Sequence, residues 1–218
     1  MNKRALAMDH MKNNATIYVF MLILFLTGIA FGAIVVNSMG TIQKQDLFFN
    51  LERFFGYITT ENTINKNEIL KESFFYHAKY LLLLFILGLS VIGLPVVWVL
   101  IFLKGLVVGF SVGFIVSQLG IQGFLLATFS IAPQNIVAIP IYILAGSLSM
   151  IFTLGLLNKL FIRKATFSQP VLQPFVKYVS FFAVLFLLSI IPAIIEAYIS
   201  NEAMVSFIKS LYNNEKSI

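Results

Sequence analysis

From Tyr80 to Asn158 the chain carries a single formal charge, Lys104. A helix needs about 20 apolar residues to cross the hydrocarbon core of a bilayer, so this stretch is long enough for about three crossings. A soluble domain is about 25% charged, whereas this chain is 11% charged and 59% hydrophobic. The sequence therefore reads as an all-α, polytopic membrane protein in which residues 1–218 form one integral membrane domain. With no Cys, disulfides, thiolate catalysis and thiolate metal sites are excluded. The net charge of +6 is placed where it sets topology, and no nucleic acid partner is implied.

Five spans are expected, at about 17–36, 80–103, 105–127, 137–157 and 178–195, forming a five-helix transmembrane bundle with an external helical loop over 37–79. Ile17–Val36 is too long for the core of a signal peptide and reads as an uncleaved first helix. Lys104-Gly105 marks a tight turn between the second and third spans, with Lys104 snorkelling to the headgroups as its anchor. Between the third and fourth spans the turn falls at Pro133-Gln134-Asn135, where Pro breaks the helix and the amides serve freed backbone groups. A turn at Gly120 is the alternative, leaving Ile121–Ile131 as a short re-entrant piece. Pro95, Pro140 and Pro192 are expected to kink their helices.

The 158–177 loop holds Lys159, Arg163, Lys164 and Lys177 and no acid. The positive-inside rule then puts the N-terminus in the cytoplasm and the 37–79 loop and C-terminal tail outside. In that outer loop Leu47, Phe48, Leu51, Phe54, Phe55 and Ile58 line one face of a helix. Phe48, Leu51, Phe55 and Ile58 are candidates for a partner-docking face; the competing expectation seats the same stripe on the membrane or over the bundle. Asn67 reads as the cap of a second helix that runs into the second span.

Catalytic constellations are absent from the sequence. There is no HExxH motif, phosphate-binding Gly loop or GxSxG elbow, and the two histidines, His10 and His77, fall on opposite sides of the membrane. No acidic residue lies inside an expected span, which argues against ion-coupled transport. No metal, cofactor or catalytic residue is assigned. Gly105, Gly109, Gly113 and Ser117 recur every fourth position and form a small-residue strip on the third helix. Such a strip serves a homo-oligomer or partner contact, or packing within the chain; packing against the second or fourth span is the expectation.

Ile86-Leu87-Gly88-Leu89-Ser90-Val91-Ile92-Gly93-Leu94-Pro95, then Phe102-Leu103-Lys104-Gly105-Leu106-Val107-Val108-Gly109-Phe110, then Pro133-Gln134-Asn135-Ile136, resemble the stage II sporulation protein M family of endospore-forming bacteria. The resemblance spans the chain and is most specific over about 80–140. It implies a non-enzymatic scaffold in the septal and engulfing mother-cell membrane. That scaffold would recruit the peptidoglycan-degrading stage II sporulation proteins P and D for septal wall dissolution and membrane migration. Wider relatives carry a Pro-His-Gly type turn with a nearby Glu. Pro133-Gln134-Asn135 has neither His nor Glu, so no titratable role carries over. The alternative class is a permease-like subunit moving a small solute, whose polar path would have to use Gln118, Gln122, Thr128, Ser130, Gln134 and Asn135.

Overall fold

The computed structural model describes residues 14–60, 65–161 and 172–215. Every element among them is helical: α1 (Ala15–Ser38), α2 (Thr41–Thr60), α3 (Lys66–Gly88), α4 (Gly93–Ser130), α5 (Ala132–Phe161), α6 (Leu172–Leu188), α7 (Ile190–Ile195), a π-helical turn (Glu196–Ser200) and α8 (Asn201–Glu215). Four helical stretches are long and apolar enough to cross a membrane, Ala15–Ser38, Gly93–Ser130, Ala132–Asn158 and Leu172–Ser210.

The expected second span, 80–103, is divided between α3 and α4 by a turn at Leu89–Ile92. The turn carries no charge and only one polar residue, Ser90, which is why it reads in sequence as continuous helix. Its signals are Gly88 and Gly93: a Cβ on Gly93 would collide with the Leu87 carbonyl, so only glycine lets the chain fold back this tightly. Pro95 then falls in the first turn of α4, where its missing N–H has no intrahelical partner to lose, so it starts a helix rather than kinking one. Lys104 lies well inside α4, not at a turn. Asn65, rather than Asn67, caps α3: its side chain accepts the Asn67 backbone N–H at 3.2 Å.

Both sites considered for the next break are used. Gly120 has φ 57° and ψ −130°, a left-handed conformation that favours glycine. There the chain turns so sharply that Gly123 abuts the Ile115 carbonyl, and Ile121–Ser130 forms a short helix. A second break at Ile131 precedes Pro133-Gln134-Asn135, which form the opening turn of α5.

α1 and α4 run parallel, since Gly28 meets Phe102 and Gly32 meets Leu106 and Gly109. α3 and α5 run the other way, with Ser149 bonded to the Leu84 carbonyl and Thr153 to that of Gly88. One end of the molecule, the near end, holds the start of α1 and the Leu89–Ile92 turn. The far end holds α2, the start of α3 and α8. There Leu51 of α2 joins Ile115, Leu119 and Leu126 of α4 and Met204, Phe207 and Ile208 of α8 in a small apolar cluster. The larger core gathers Met21, Phe25, Leu81, Leu84, Ile101, Ala145, Tyr142 and Phe182 from five helices.

Candidate functional site

The small-residue strip packs within the chain, but against α1 rather than the second or fourth span. A Cβ on Gly105 would collide with the Phe25 carbonyl and one on Gly109 with that of Ile29. The approach is reciprocal, because Gly28 and Gly32 of α1 sit against the Phe102 and Leu106 carbonyls. Gly113 is in ordinary contact with Ala33, and Ser117 is exposed. The sequence reading missed Gly28 and Gly32, whose i, i+4 spacing was the available signal.

A polar centre forms where α3, α4, α5 and the π-turn meet. Lys104 donates to the Tyr76 hydroxyl at 3.1 Å. Its ammonium also lies 4.6 Å from the Tyr76 ring centroid, 4.9 Å from that of Tyr142 and 5.6 Å from that of Tyr80. A lysine at the middle of a membrane helix costs about 2.5–3.5 kcal/mol to insert. Cation–π contacts of about 2 kcal/mol each when desolvated offset that cost without a carboxylate. Tyr80 spends its own proton on the Leu100 carbonyl at 2.8 Å, which fixes its ring over the ammonium.

The same Tyr142 links the lysine cage to His77. The Tyr142 hydroxyl and His77 Nδ1 share a hydrogen bond, and both side chains are buried. The other ring nitrogen, Nε2, has no hydrogen-bond partner and faces Glu196 Oε2 at 3.9 Å. Glu196 in turn accepts from Ser73 at 2.5 Å. Ser73, His77, Leu81, Leu84 and Gly88 are the buried positions of α3, and this i, i+4 periodicity aims serine and histidine at one centre. Glu196 opens the π-helical turn, a local widening often found at functional sites. Above it, Lys66 and Glu202 pair and tie the start of α3 to α8.

The expected spans held no acid; the fifth ended at Ile195. The helical run continues through Glu196, which lies within the stretch Leu172–Ser210. His77 is likewise not an isolated interface residue but a buried member of the centre. Tyr76, Tyr80, Tyr142, Ser73 and Glu196 were all missed by sequence reasoning. The signal that could have found part of the set is Tyr76 and Tyr80 at helical spacing around His77, followed by one charge in an otherwise uncharged run.

Below the centre, hydroxyls close the seam between α3 and its neighbours. Thr153 donates to the Gly88 carbonyl at 2.7 Å, Ser149 to that of Leu84 at 2.9 Å, and Tyr178 to that of Phe85 at 2.9 Å. The last carbonyls of a helix lack intrahelical partners, and lipid offers none. These three side chains supply bonds at the end of α3. Phe85 and Phe152 stack on the two sides of Tyr178, at centroid distances of 5.1 and 4.4 Å.

The remaining expected residues are dispersed. Asn135 donates to the Ile131 carbonyl at 2.8 Å, and Thr128 to that of Phe124 at 2.8 Å, each a local bond to the residue four positions earlier. Gln134 Oε1 is buried without a partner. Leu51 seats α2 on α8, Phe48 is half-buried, and the side chains of Phe55 and Ile58 lie outside the described residues. No three His, Cys, Asp or Glu side chains converge on a metal geometry among the described residues.

No curated protein and no solved structure matches the chain. The family model for Stage II sporulation protein M matches residues 21–201, from the first third of α1 to the start of α8. The match includes the α1–α4 crossing and every member of the polar centre, and on that extent the chain belongs to the stage II sporulation protein M family, a sporulation-related family of membrane proteins.

Proposed function

We propose that the protein is a non-enzymatic membrane scaffold for engulfment. It would hold the peptidoglycan-degrading stage II sporulation proteins P and D at the septum while the mother-cell membrane migrates. The family match over residues 21–201 carries this reading. The geometry supports it in two respects. The α1–α4 crossing is a backbone-to-backbone contact that leaves the two helices little freedom to slide. At the far end, Leu51 and the Lys66–Glu202 pair fasten α2 and α8 to the bundle as a fixed layer. That layer keeps Ile42 and Phe49 exposed, at 75% and 58%.

The near end is the cytoplasmic one in this proposal. Lys3, Arg4 and Lys12 precede α1 and Lys177 lies on α6, opposed only by Asp9. The helix directions then put α2 and α8 outside, facing the wall, with α3 completing a fifth crossing. Cys at Ser90 should resist an impermeant thiol reagent in intact cells, while Cys at Asn67 should react. The reverse labelling would discard the orientation.

The functional test is localisation. Without this chain, fluorescent fusions of the two hydrolases should disperse from the septum and septal peptidoglycan should persist. The purified protein should cleave no peptidoglycan. Septal hydrolases and normal wall thinning in the deletion strain would overturn the scaffold reading.

A further inference from the structure

We infer that the flank where α3 meets α4, carrying Lys79 and Lys104 beside Phe75 and Tyr76, seats a partner's transmembrane helix that brings an Asp or Glu to the middle of the bilayer. The inference deepens the scaffold reading by giving the partner a chemistry and a place.

Depth is the first observation. Gly105, next to Lys104, touches Phe25 near the middle of α1, a helix with no charge along its length. Counted from the near-end turn, Lys104 follows Gly93 by about 16 Å and Lys79 precedes Gly88 by about 14 Å at 1.5 Å per residue. With α3 as the proposed fifth crossing and the near-end turn at the membrane surface, both cations lie near the midplane of a hydrocarbon core about 30 Å thick.

Exposure is the second. Phe75 and Tyr76 are 56% and 54% exposed, and Lys79, one turn on from Tyr76, is exposed on the same face. Lys104 reaches this face through its bond to Tyr76.

The missing countercharge is the third. No carboxylate lies within 4.0 Å of either lysine among the described residues. The nearest acid in the centre, Glu196, is engaged by Ser73 and faces His77. Charged side chains inside a bilayer usually face the bundle interior and are paired.

Charge and depth choose the occupant. A lipid phosphate sits about 15 Å away at the membrane surface, half the core thickness. A second copy in the same orientation would set Lys79 against Lys79. A helix with a mid-span carboxylate supplies the countercharge that Lys79 lacks and adds one to the rings already around Lys104, and Phe75 and Tyr76 offer it apolar contact.

The test uses the full-length protein in sporulating cells with a photo-crosslinking amino acid at position 75, and at exposed Leu187 as a control. Position 75 should capture a membrane-spanning peptide that contains Asp or Glu, and position 187 should not. Lys79→Gln, which breaks no ion pair among the described residues, should lower the yield at least fivefold, and Lys79→Gln with Lys104→Gln at least twentyfold. Lys79→Glu should abolish capture, and changing the partner's carboxylate to Lys should restore it. Lipid adducts alone, a captured segment without a carboxylate, or a yield indifferent to Lys79→Gln would overturn the inference. Hydrolase localisation in the deletion strain reports separately: dispersed hydrolases with no captured helix would sink this site and leave the scaffold standing. Capture of a carboxylate-bearing helix with hydrolases in place would do the opposite.

Discussion

The α1–α4 seam and the α3–α5 seam answer the same difficulty by opposite means. Lipid tails are as apolar as leucine, so burying apolar surface gives helices little reason to associate in a bilayer. Between α1 and α4, side chains are removed: Gly28, Gly32, Gly105 and Gly109 let backbones touch, and dispersion over a tight contact holds the pair. Between α3 and α5, side chains are spent: Tyr142, Ser149 and Thr153 reach across to His77 and to the Leu84 and Gly88 carbonyls. The glycine seam has no tolerance, because its steric limit is backbone. The polar seam is a sum of separable bonds. The first should fail abruptly under substitution, and the second by degrees.

The sharpest break is Gly109→Leu. Its Cβ would fall on the Ile29 carbonyl, which cannot move without shifting all of α1. The loss should exceed the roughly 1–3 kcal/mol of an overpacked core that can adjust. The protein should fail to accumulate in membranes, as read by quantitative immunoblot. Gly113→Ala, one turn further along the same strip, faces Ala33 at ordinary contact distance and should accumulate normally. Equal behaviour of the two variants would erase the claim that backbone contact defines this seam.

Next in size is Tyr142→Phe. It keeps the ring over Lys104 but leaves His77 Nδ1 buried without a partner, at a cost of about 1–3 kcal/mol. Thermal unfolding in detergent should show a clear shift with the protein still inserted. Smallest is Thr153→Val, which removes one interhelical bond to the Gly88 carbonyl and should cost about 0.6 kcal/mol. A collapse caused by Thr153→Val would mean that the polar seam is as brittle as the glycine seam.

The two seams also differ in how far they could be read in advance. The strip on α4 was legible because its members recur at a fixed period within one helix. Its partner was not, since periodicity shows a face and not what covers it. The membrane class was plain from the uncharged run around Lys104. That same uniformity hid the Leu89–Ile92 turn, where Ser90 is the one polar residue in an apolar run. The polar centre was the least legible part. Tyr76, Lys104, Tyr142 and Glu196 lie far apart in the chain, and each alone resembles an interfacial anchor. Only the parallel course of α3 and α5 brings His77 to Tyr142, and only the continuation of α6 and α7 brings Glu196 to His77 and Ser73.

The cage around Lys104 also has an order in time. A ribosome makes Tyr76 and Tyr80 before Lys104, and Tyr142 only afterwards. When α4 first meets lipid, its cation has two of its three rings, and the third arrives with α5. A nascent chain halted after Ser130 should therefore hold α4 in the bilayer less efficiently than one extended through Phe161, as scored by glycosylation tags on either side. The placement of Tyr142 late in the sequence makes completion of α5 the step that closes the cage around Lys104.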